Sequence, residues 1–225
     1  MSVEAGLERV RARIAEAALR SGRSADSVRL VGVSKGNPAA LVAEAVAAGL
    51  RDVGENRVQE AAAKVPAVAG LVKEQPSWHL VGHLQTNKAR AAVDLFDTIQ
   101  SVDSVRVAQA LSRITPRPLP VFLEVQFVQA PDRFGFEPGG IREAYESVNG
   151  LPNIEVRGLM TVAPLGLEPE GTRRVFRALR ERRDELGELT GVGGIELSMG
   201  MTDDYEIAIE EGATLVRIGR AIFAA

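Results

Sequence analysis

The sequence contains no cysteine, only two histidines and 4% aromatic residues among its 225 residues. The absence of cysteine excludes a disulfide framework, a thiolate metal site and a cysteine nucleophile. The formal net charge of −3 argues against a general nucleic-acid binder, since such proteins usually carry a basic face. No apolar run is long enough to span a bilayer, and the N-terminus lacks the basic and apolar regions of a signal peptide. We therefore expect a cytoplasmic protein that binds neither nucleic acid nor a membrane.

Lysine is scarce as well, because only four of the 27 basic residues are lysine. One of them, Lys35, follows the apolar run 28–34 and precedes Gly36 and Pro38, which predicts a buried parallel strand, a short loop and a helix. This is the strand end at which α/β proteins place their chemistry. Unlike a guanidinium, a primary amine can condense with a carbonyl, most readily when it is partly buried. Lys35 is therefore either the Schiff-base lysine of a pyridoxal phosphate (PLP) site or a lysine whose stem packs at a strand end.

Short β-rich segments alternate with helical ones after an amphipathic opening helix over 4–20. Eight strands, each followed by a helix, predict an α/β fold, a single-domain (β/α)8 TIM barrel over residues 1–225 with an extra N-terminal helix. The alternative is an open doubly wound sheet, which the lack of a G-x-G-x-x-G after an early strand disfavours. The strands are predicted near 28–34, 52–54, 78–82, 97–101, 119–126, 154–160, 194–198 and 214–218, and the later helices include 38–48, 103–114, 141–148, 172–187 and 203–211.

Polar residues follow the apolar strands, and in a barrel they would meet at one mouth. Barrels commonly bind phosphate with the loops after strands seven and eight, through backbone N–H groups. Here Ser198 offers a hydroxyl, Gly219 allows close backbone approach and Arg220 adds charge. Thr202 is interpreted as the N-cap of the next helix, with two acidic residues in its first turn. The residues expected at the mouth are Lys35, Glu55, Asn56, Gly82, His83, Ser101, Gln126, Met160, Thr161, Ser198, Met199, Gly200, Arg217, Ile218 and Gly219.

Arg217 ends an apolar strand, where an unpaired cation would be costly. The ring nitrogen of PLP is one possible acceptor. Because arginine keeps its proton, that nitrogen would then stay neutral and the ring would be a weak electron sink. An internal ion pair with Glu196 or Glu124 is the alternative.

His79 and His83 are four residues apart, a metal-binding spacing only on a helix, whereas Trp78 and the residues that follow it predict a strand. We expect no metal site, a packing or hydrogen-bonding role for His79, and His83 at the mouth. Asn56 either hydrogen-bonds a cofactor substituent or caps the next helix.

Several segments resemble the pyridoxal phosphate homeostasis proteins, also called proline synthetase co-transcribed homologues. The resemblance runs from the first helix to the last few residues. The matching segments are VSK (33–35), GENRVQE (54–60), WHLVGHLQTNK (78–88), SVD (101–103), GLM (158–160), LSMGMTDD (197–204) and VRIG (216–219).

This resemblance implies a fold-type III barrel, like the N-terminal domain of alanine racemase, with Lys35 as the Schiff-base lysine. It implies that Arg217 faces the pyridine nitrogen and that Ser198 and Gly219 hold the phosphate. It also implies that Asn56 and Met199 line the ring. It also implies a role in vitamin B6 homeostasis, with apo PLP-dependent enzymes as recipients of the cofactor. The cofactor-binding residues implied are Lys35, Asn56, Ser198, Met199, Arg217 and Gly219.

An enzyme remains the alternative to a carrier. Two-base racemisation needs a second acid or base opposite the lysine, which is a tyrosine in alanine racemases. Here Tyr145 and Tyr205 both fall in predicted helices. We therefore predict a monomeric PLP carrier or regulator with no catalytic residue. The alternatives are a small PLP-dependent amino-acid racemase and a barrel enzyme that uses Lys35 as an aldolase-type base on a phosphorylated metabolite.

Overall fold

Eight parallel strands close into a barrel in chain order, and the last strand pairs with the first. The computed structural model describes residues 2–128, 134–191 and 193–224. The closed barrel of eight parallel strands confirms the predicted TIM barrel. The strands are β1 (Arg29–Val33), β2 (Asp52–Glu55), β3 (Ser77–Leu80), β4 (Thr98–Val102), β5 (Leu119–Glu124), β6 (Ile154–Met160), β7 (Glu196–Ser198) and β8 (Leu215–Ile218). The helices are α1 (Val3–Arg20), α2 (Ala39–Ala47), α3 (Val58–Ala69), α4 (Ala89–Leu95), α5 (Val105–Ser112), α6 (Ile141–Asn149), α7 (Pro169–Thr190), α8 (Tyr205–Glu210) and α9 (Arg220–Phe223).

The barrel is a packed core because side chains fill its inside and helices cover its outside. Val31, Phe122, Met160 and Leu215 form a buried cluster contributed by four different strands. Alternate residues of each strand pack outward against the helices, which explains why the strands are apolar on both faces.

Helix α1 packs against α8 and α9 and so joins the two ends of the chain. Leu7, Val10 and Ile14 are buried at the spacing expected of one helix face. Gly6 is required at this contact, because a Cβ there would lie 2.9 Å from the carbonyl oxygen of Ile222. Arg20 adds ion pairs to the carboxylates of α8 at 2.9 and 3.0 Å.

Some boundaries differ from the prediction for local reasons. Helix α8 begins at Tyr205 rather than at 203, because residues 202–204 form a turn in which the Asp204 carboxylate accepts the Met201 N–H at 2.6 Å. Thr202 is consequently not the N-cap. Helix α7 is longer than expected, with Pro169 in its first turn and Gly191 in the left-handed conformation at its end. Among the described residues no helix is both long and apolar enough to cross a membrane.

Candidate functional site

A cavity of about 610 Å³ opens at the carboxyl ends of the strands. Four of the predicted site residues line it, namely Lys35, Asn56, Arg217 and Gly219. They follow or end β1, β2 and β8, so the barrel brings together side chains that are far apart in sequence. Val33, Val81 and Val162 supply apolar lining, while Thr202, Asp203, Asp204 and Arg220 supply a polar end.

Lys35 is exposed at the cavity rather than partly buried. Its position is fixed instead through the backbone on either side of it. The Ser34 carbonyl accepts from Lys64 Nζ at 2.8 Å, and the Gly36 N–H donates to Glu60 Oε1 at 2.6 Å. The side chain of Lys35 can therefore move while its base stays in place.

These anchors belong to a group that we call the Lys64 cluster, formed by the buried residues Ser34, Glu55 and Lys64 and the half-buried Glu60. Lys64 Nζ lies 2.5 Å from Glu55 Oε1 and 2.9 Å from Glu60 Oε1, and the Ser34 hydroxyl donates to Glu55 at 2.5 Å. Glu55 and Lys64 are buried, and they join β2 to α3 across the barrel wall. Glu55 therefore lies outside the mouth at which it was expected, while the next residue, Asn56, lines the cavity.

Glu60 carries a lowered pKa within this cluster. Burial alone would raise it, but the hydrogen bonds from Lys64 and from the Gly36 N–H outweigh that effect and bring the pKa below its usual 4.5. The cluster was not predicted from the sequence. The available signal was the Glu60–Lys64 spacing of four residues on a helix, which is more often a solvated pair.

Asn56 is held at the cavity by a close backbone approach. A Cβ at Gly82 would lie 2.4 Å from the Asn56 carbonyl oxygen, so only glycine lets the segment after β3 pass so near. Gly82 thus shapes the wall behind Asn56 and does not itself line the cavity.

Arg217 is almost fully buried, and its guanidinium is held from two sides. Nη1 donates to the Ser198 hydroxyl at 2.6 Å, and Nη2 donates to the Thr161 carbonyl at 2.8 Å. Burial lowers the pKa of Arg217 to about 10, while the charges of Glu124 and Asp204 act in the opposite direction. The side chain is therefore a cation at neutral pH. The alternative partner Glu196 is bound to Arg29 instead, at 2.5 Å.

Ser198 and Met199 do not line the cavity. Ser198 is fully buried and donates its hydroxyl hydrogen to Gln100 Oε1 at 2.6 Å, so it contacts Arg217 from behind. Met199 points to the other side of the chain and joins the core between barrel and helices. Met201 lies at the cavity instead.

The polar end of the cavity combines opposite charges. Arg220 forms an ion pair with Asp203. The expected place of Asp203 in the first turn of α8 is wrong, because that helix begins at Tyr205. Burial raises the pKa of Asp204, and its hydrogen bond from Met201 N and the Arg217 charge oppose that effect. The charged side chains lining the cavity are Lys35, Arg217 and Arg220 against Asp203 and Asp204.

His83 lies outside this cavity, in a neighbouring cleft of about 520 Å³. Its Nδ1 is 2.7 Å from Asp103 Oδ2, and its ring stacks on Phe134 with centroids 3.7 Å apart. His79 is buried and hydrogen-bonded, as predicted. Tyr145 and Tyr205 are buried in α6 and α8, and neither lines the cavity.

The chain is similar to known proteins in sequence and in fold. Residues 7–225 match the family model of the alanine racemase N-terminal domain. The chain is 42% identical to the pyridoxal phosphate homeostasis protein of Pseudomonas aeruginosa, covering 100% of this chain and 96% of the relative. It is 43% identical to PipY of Synechococcus elongatus in a structure with PLP bound, with a TM-score of 0.82, covering 94% of this chain and all of that one. The alanine racemase of Corynebacterium glutamicum shares the fold at 18% identity, with a TM-score of 0.69, and this chain covers 61% of its length.

Proposed function

Because this chain belongs to the pyridoxal phosphate homeostasis proteins, we propose that it binds PLP in the cavity at the carboxyl ends of its strands. Lys35 is the point of covalent attachment, and the protein holds the cofactor for vitamin B6 homeostasis without a dedicated turnover. The observation that carries the proposal is a primary amine and a buried guanidinium lining one cavity.

The residues present fit the functional groups of PLP. An aldehyde needs an amine, which Lys35 supplies. A ring nitrogen is an acceptor, and Arg217 has only donors to offer it. A phosphate suits the Arg220 guanidinium, the Thr202 hydroxyl and the backbone at Gly219. Asn56 is placed for a polar ring substituent, and three valines provide an apolar surface for the ring.

The cavity supports holding rather than turnover. When bound, PLP supplies an electrophilic carbon and a ring that can accept electrons. A ring facing Arg217 would keep a neutral nitrogen and accept electrons weakly. The two carboxylates of the cavity already have partners, since Asp203 pairs with Arg220 and Asp204 accepts the Met201 N–H. We therefore assign no acid or base for racemisation.

The cellular setting of this function is a proposal of the same kind. We infer a cytoplasmic monomer that transfers PLP to apo forms of PLP-dependent enzymes. An exposed Lys35 supports exchange with such recipients, because a bond formed at its amine would be accessible from solvent.

The test is an absorbance titration with PLP, followed by borohydride reduction and mass mapping of the modified peptide. We expect the adduct on Lys35 and no adduct in Lys35→Ala. Lys35→Arg keeps the positive charge but cannot condense, so it should bind PLP only weakly and without a covalent adduct. Lys73→Ala, which removes an exposed lysine outside the cavity, is the matched control and should label normally.

Three results would each contradict a part of the proposal. A wild-type protein that takes up no PLP would remove the cofactor and would favour an aldolase-type role for Lys35. An adduct that persists elsewhere at full yield in Lys35→Arg would refute the attachment site. Exchange of the α-hydrogen of an amino acid by the loaded protein would instead favour the racemase alternative.

A further inference from the structure

A chain of hydrogen-bonded side chains crosses the inside of the barrel and ends on Arg217. It starts at Asp52 on β2, whose Oδ1 lies 2.9 Å from His79 Nε2 on β3. His79 Nδ1 lies 2.9 Å from Gln100 Nε2 on β4, and Gln100 Oε1 accepts from the Ser198 hydroxyl of β7 at 2.6 Å. Since β4 and β7 are not neighbours in the barrel, this last bond passes through its interior.

The chemistry of the ends gives the chain a single direction. Arginine has only N–H donors, so the Ser198 oxygen must accept from Arg217 and its hydrogen must go to Gln100. The amide of Gln100 then presents its NH₂ group to His79 Nδ1, which is therefore unprotonated. The remaining ring nitrogen of His79 donates to the Asp52 carboxylate. Every donor from Arg217 onward points toward Asp52.

The opposite orientation of Gln100 would be costly. With its amide turned around, the Gln100 oxygen would face His79 Nδ1 and require a hydrogen on that nitrogen, so that Nε2 could still donate to Asp52 only in a charged ring. The Ser198 hydroxyl would then receive hydrogen bonds from both Arg217 and Gln100, and its own hydrogen would lose its acceptor. A buried donor without a partner is unfavourable, so the observed direction is selected.

The four side chains behind Arg217 can influence a bound ligand only by positioning Arg217. None of Asp52, His79, Gln100 and Ser198 lines the cavity, whereas Arg217 does. Asp52 instead lines a groove on the other side, beside Arg29 and Arg51. An arginine side chain is long and rotates freely unless it is held. Here the Ser198 hydroxyl and the Thr161 carbonyl take two of its five N–H groups and fix the plane of the guanidinium.

We propose that Asp52, His79, Gln100 and Ser198 form a positioning relay, the Arg217 relay, that aims the guanidinium at the ring of bound PLP and thereby sets the affinity and the absorbance maximum of the cofactor. This inference rests on the proposed function. Burial lowers the pKa of Arg217, because the buried guanidinium cation has lost its solvent. A fixed hydrogen-bond acceptor therefore stabilises this cation. The relay acts on Arg217 and has no contact with the reacting atoms.

The test compares PLP binding and spectra in Gln100→Leu, Gln100→Glu and wild type. Gln100→Leu removes both hydrogen bonds of the amide, so we expect affinity to fall about tenfold, with a shifted absorbance maximum. Gln100→Glu keeps the acceptor for Ser198 but replaces the donor to His79 by an oxygen, so affinity should fall less than in Gln100→Leu. Thr115→Val is the matched control, because Thr115 is a buried polar residue whose hydroxyl donates to the Arg117 carbonyl outside the relay and which does not line the cavity.

The outcomes separate the relay from the proposed function. A wild type that binds no PLP refutes the proposed function, and the relay falls with it. If the wild type binds PLP and Gln100→Leu folds with unchanged affinity and spectrum, the relay is overturned and the proposed function stands. If Gln100→Leu does not fold, Ser198→Ala cuts the same chain by one oxygen atom, and an unchanged spectrum in that variant likewise overturns the relay.

Discussion

The Lys64 cluster and the Arg217 relay are both buried polar networks beside the cavity, but they are built differently. The Lys64 cluster holds an ammonium against two carboxylates between β2 and α3, and it ends on backbone atoms flanking Lys35. The relay runs mostly through neutral groups inside the barrel and ends on a side chain. An exposed lysine that must reach a ligand is thus fixed at its base, whereas a buried arginine is fixed at its tip.

The two networks should therefore respond differently to loss of their cation. In the Lys64 cluster the cation compensates a fully buried carboxylate, so removing it leaves that carboxylate without a counter-charge. Arg217 is itself the costly charge, so removing it relieves a burial penalty. The following variants test this difference.

Lys64→Ala should cause the largest loss of stability. It leaves the buried Glu55 carboxylate uncompensated, which costs about 3–5 kcal/mol in the free energy of unfolding. Urea denaturation measures this loss. The double variant Lys64→Met with Glu55→Gln removes both charges and should recover much of it. If Lys64→Ala loses less than about 1 kcal/mol, the cluster is not a buried ion pair in solution.

Arg217→Leu should leave the free energy of unfolding within about 1 kcal/mol of wild type, because an apolar side chain replaces a desolvated cation. PLP affinity should nevertheless fall about thirtyfold, the equivalent of one lost charge-assisted hydrogen bond. Denaturation of the ligand-free protein and a PLP titration separate the two effects. A large loss of stability with unchanged PLP affinity would contradict this difference, because Arg217 would then stabilise the fold as Lys64 does.

A smaller effect is expected from acid. The folded-state pKa of Glu60 is lowered, so its contribution to stability is fully present above 4.5 and is lost as the pH falls through the lowered value. Glu60→Gln keeps an acceptor for Gly36 but does not titrate there. The stability difference between wild type and this variant should shrink at pH values below 4.5, as measured by urea denaturation. A difference that stays constant would contradict the assigned ion pair.

The sequence predicted the barrel and the place of Lys35 because both depend on local patterns. Apolar runs mark the strands, and a residue that directly follows a strand must lie at the mouth. Predicting which way each side chain points required one more step, the alternation of side chains along a strand. Alternation along β2 and β7 places Asn56 and Ser198 toward the inside, which could have excluded Glu55 and Met199 from the cavity.

The two networks were beyond reach of the sequence for a different reason. Gln100 and Ser198 are 98 positions apart, and only closure of the barrel makes them partners. Lys64 shares the buried face of α3 with Val58, Ala61 and Val68, but a lysine is ordinarily expected at the solvent. Its burial depends on how α3 packs against β2, which is a property of the whole fold.

The pairing of β1 with β8, and of α1 with α8 and α9, has a consequence for synthesis. The first strand emerges from a ribosome long before its second neighbour exists. Until then β1 has an open edge and α1 an uncovered apolar face, features that favour aggregation of nascent chains. The barrel can close only when residues 215–223 have been made, so folding should finish after translation of the last helix. A chain truncated before β8 would lose both the Arg217 side of the cavity and the partner that holds its own beginning.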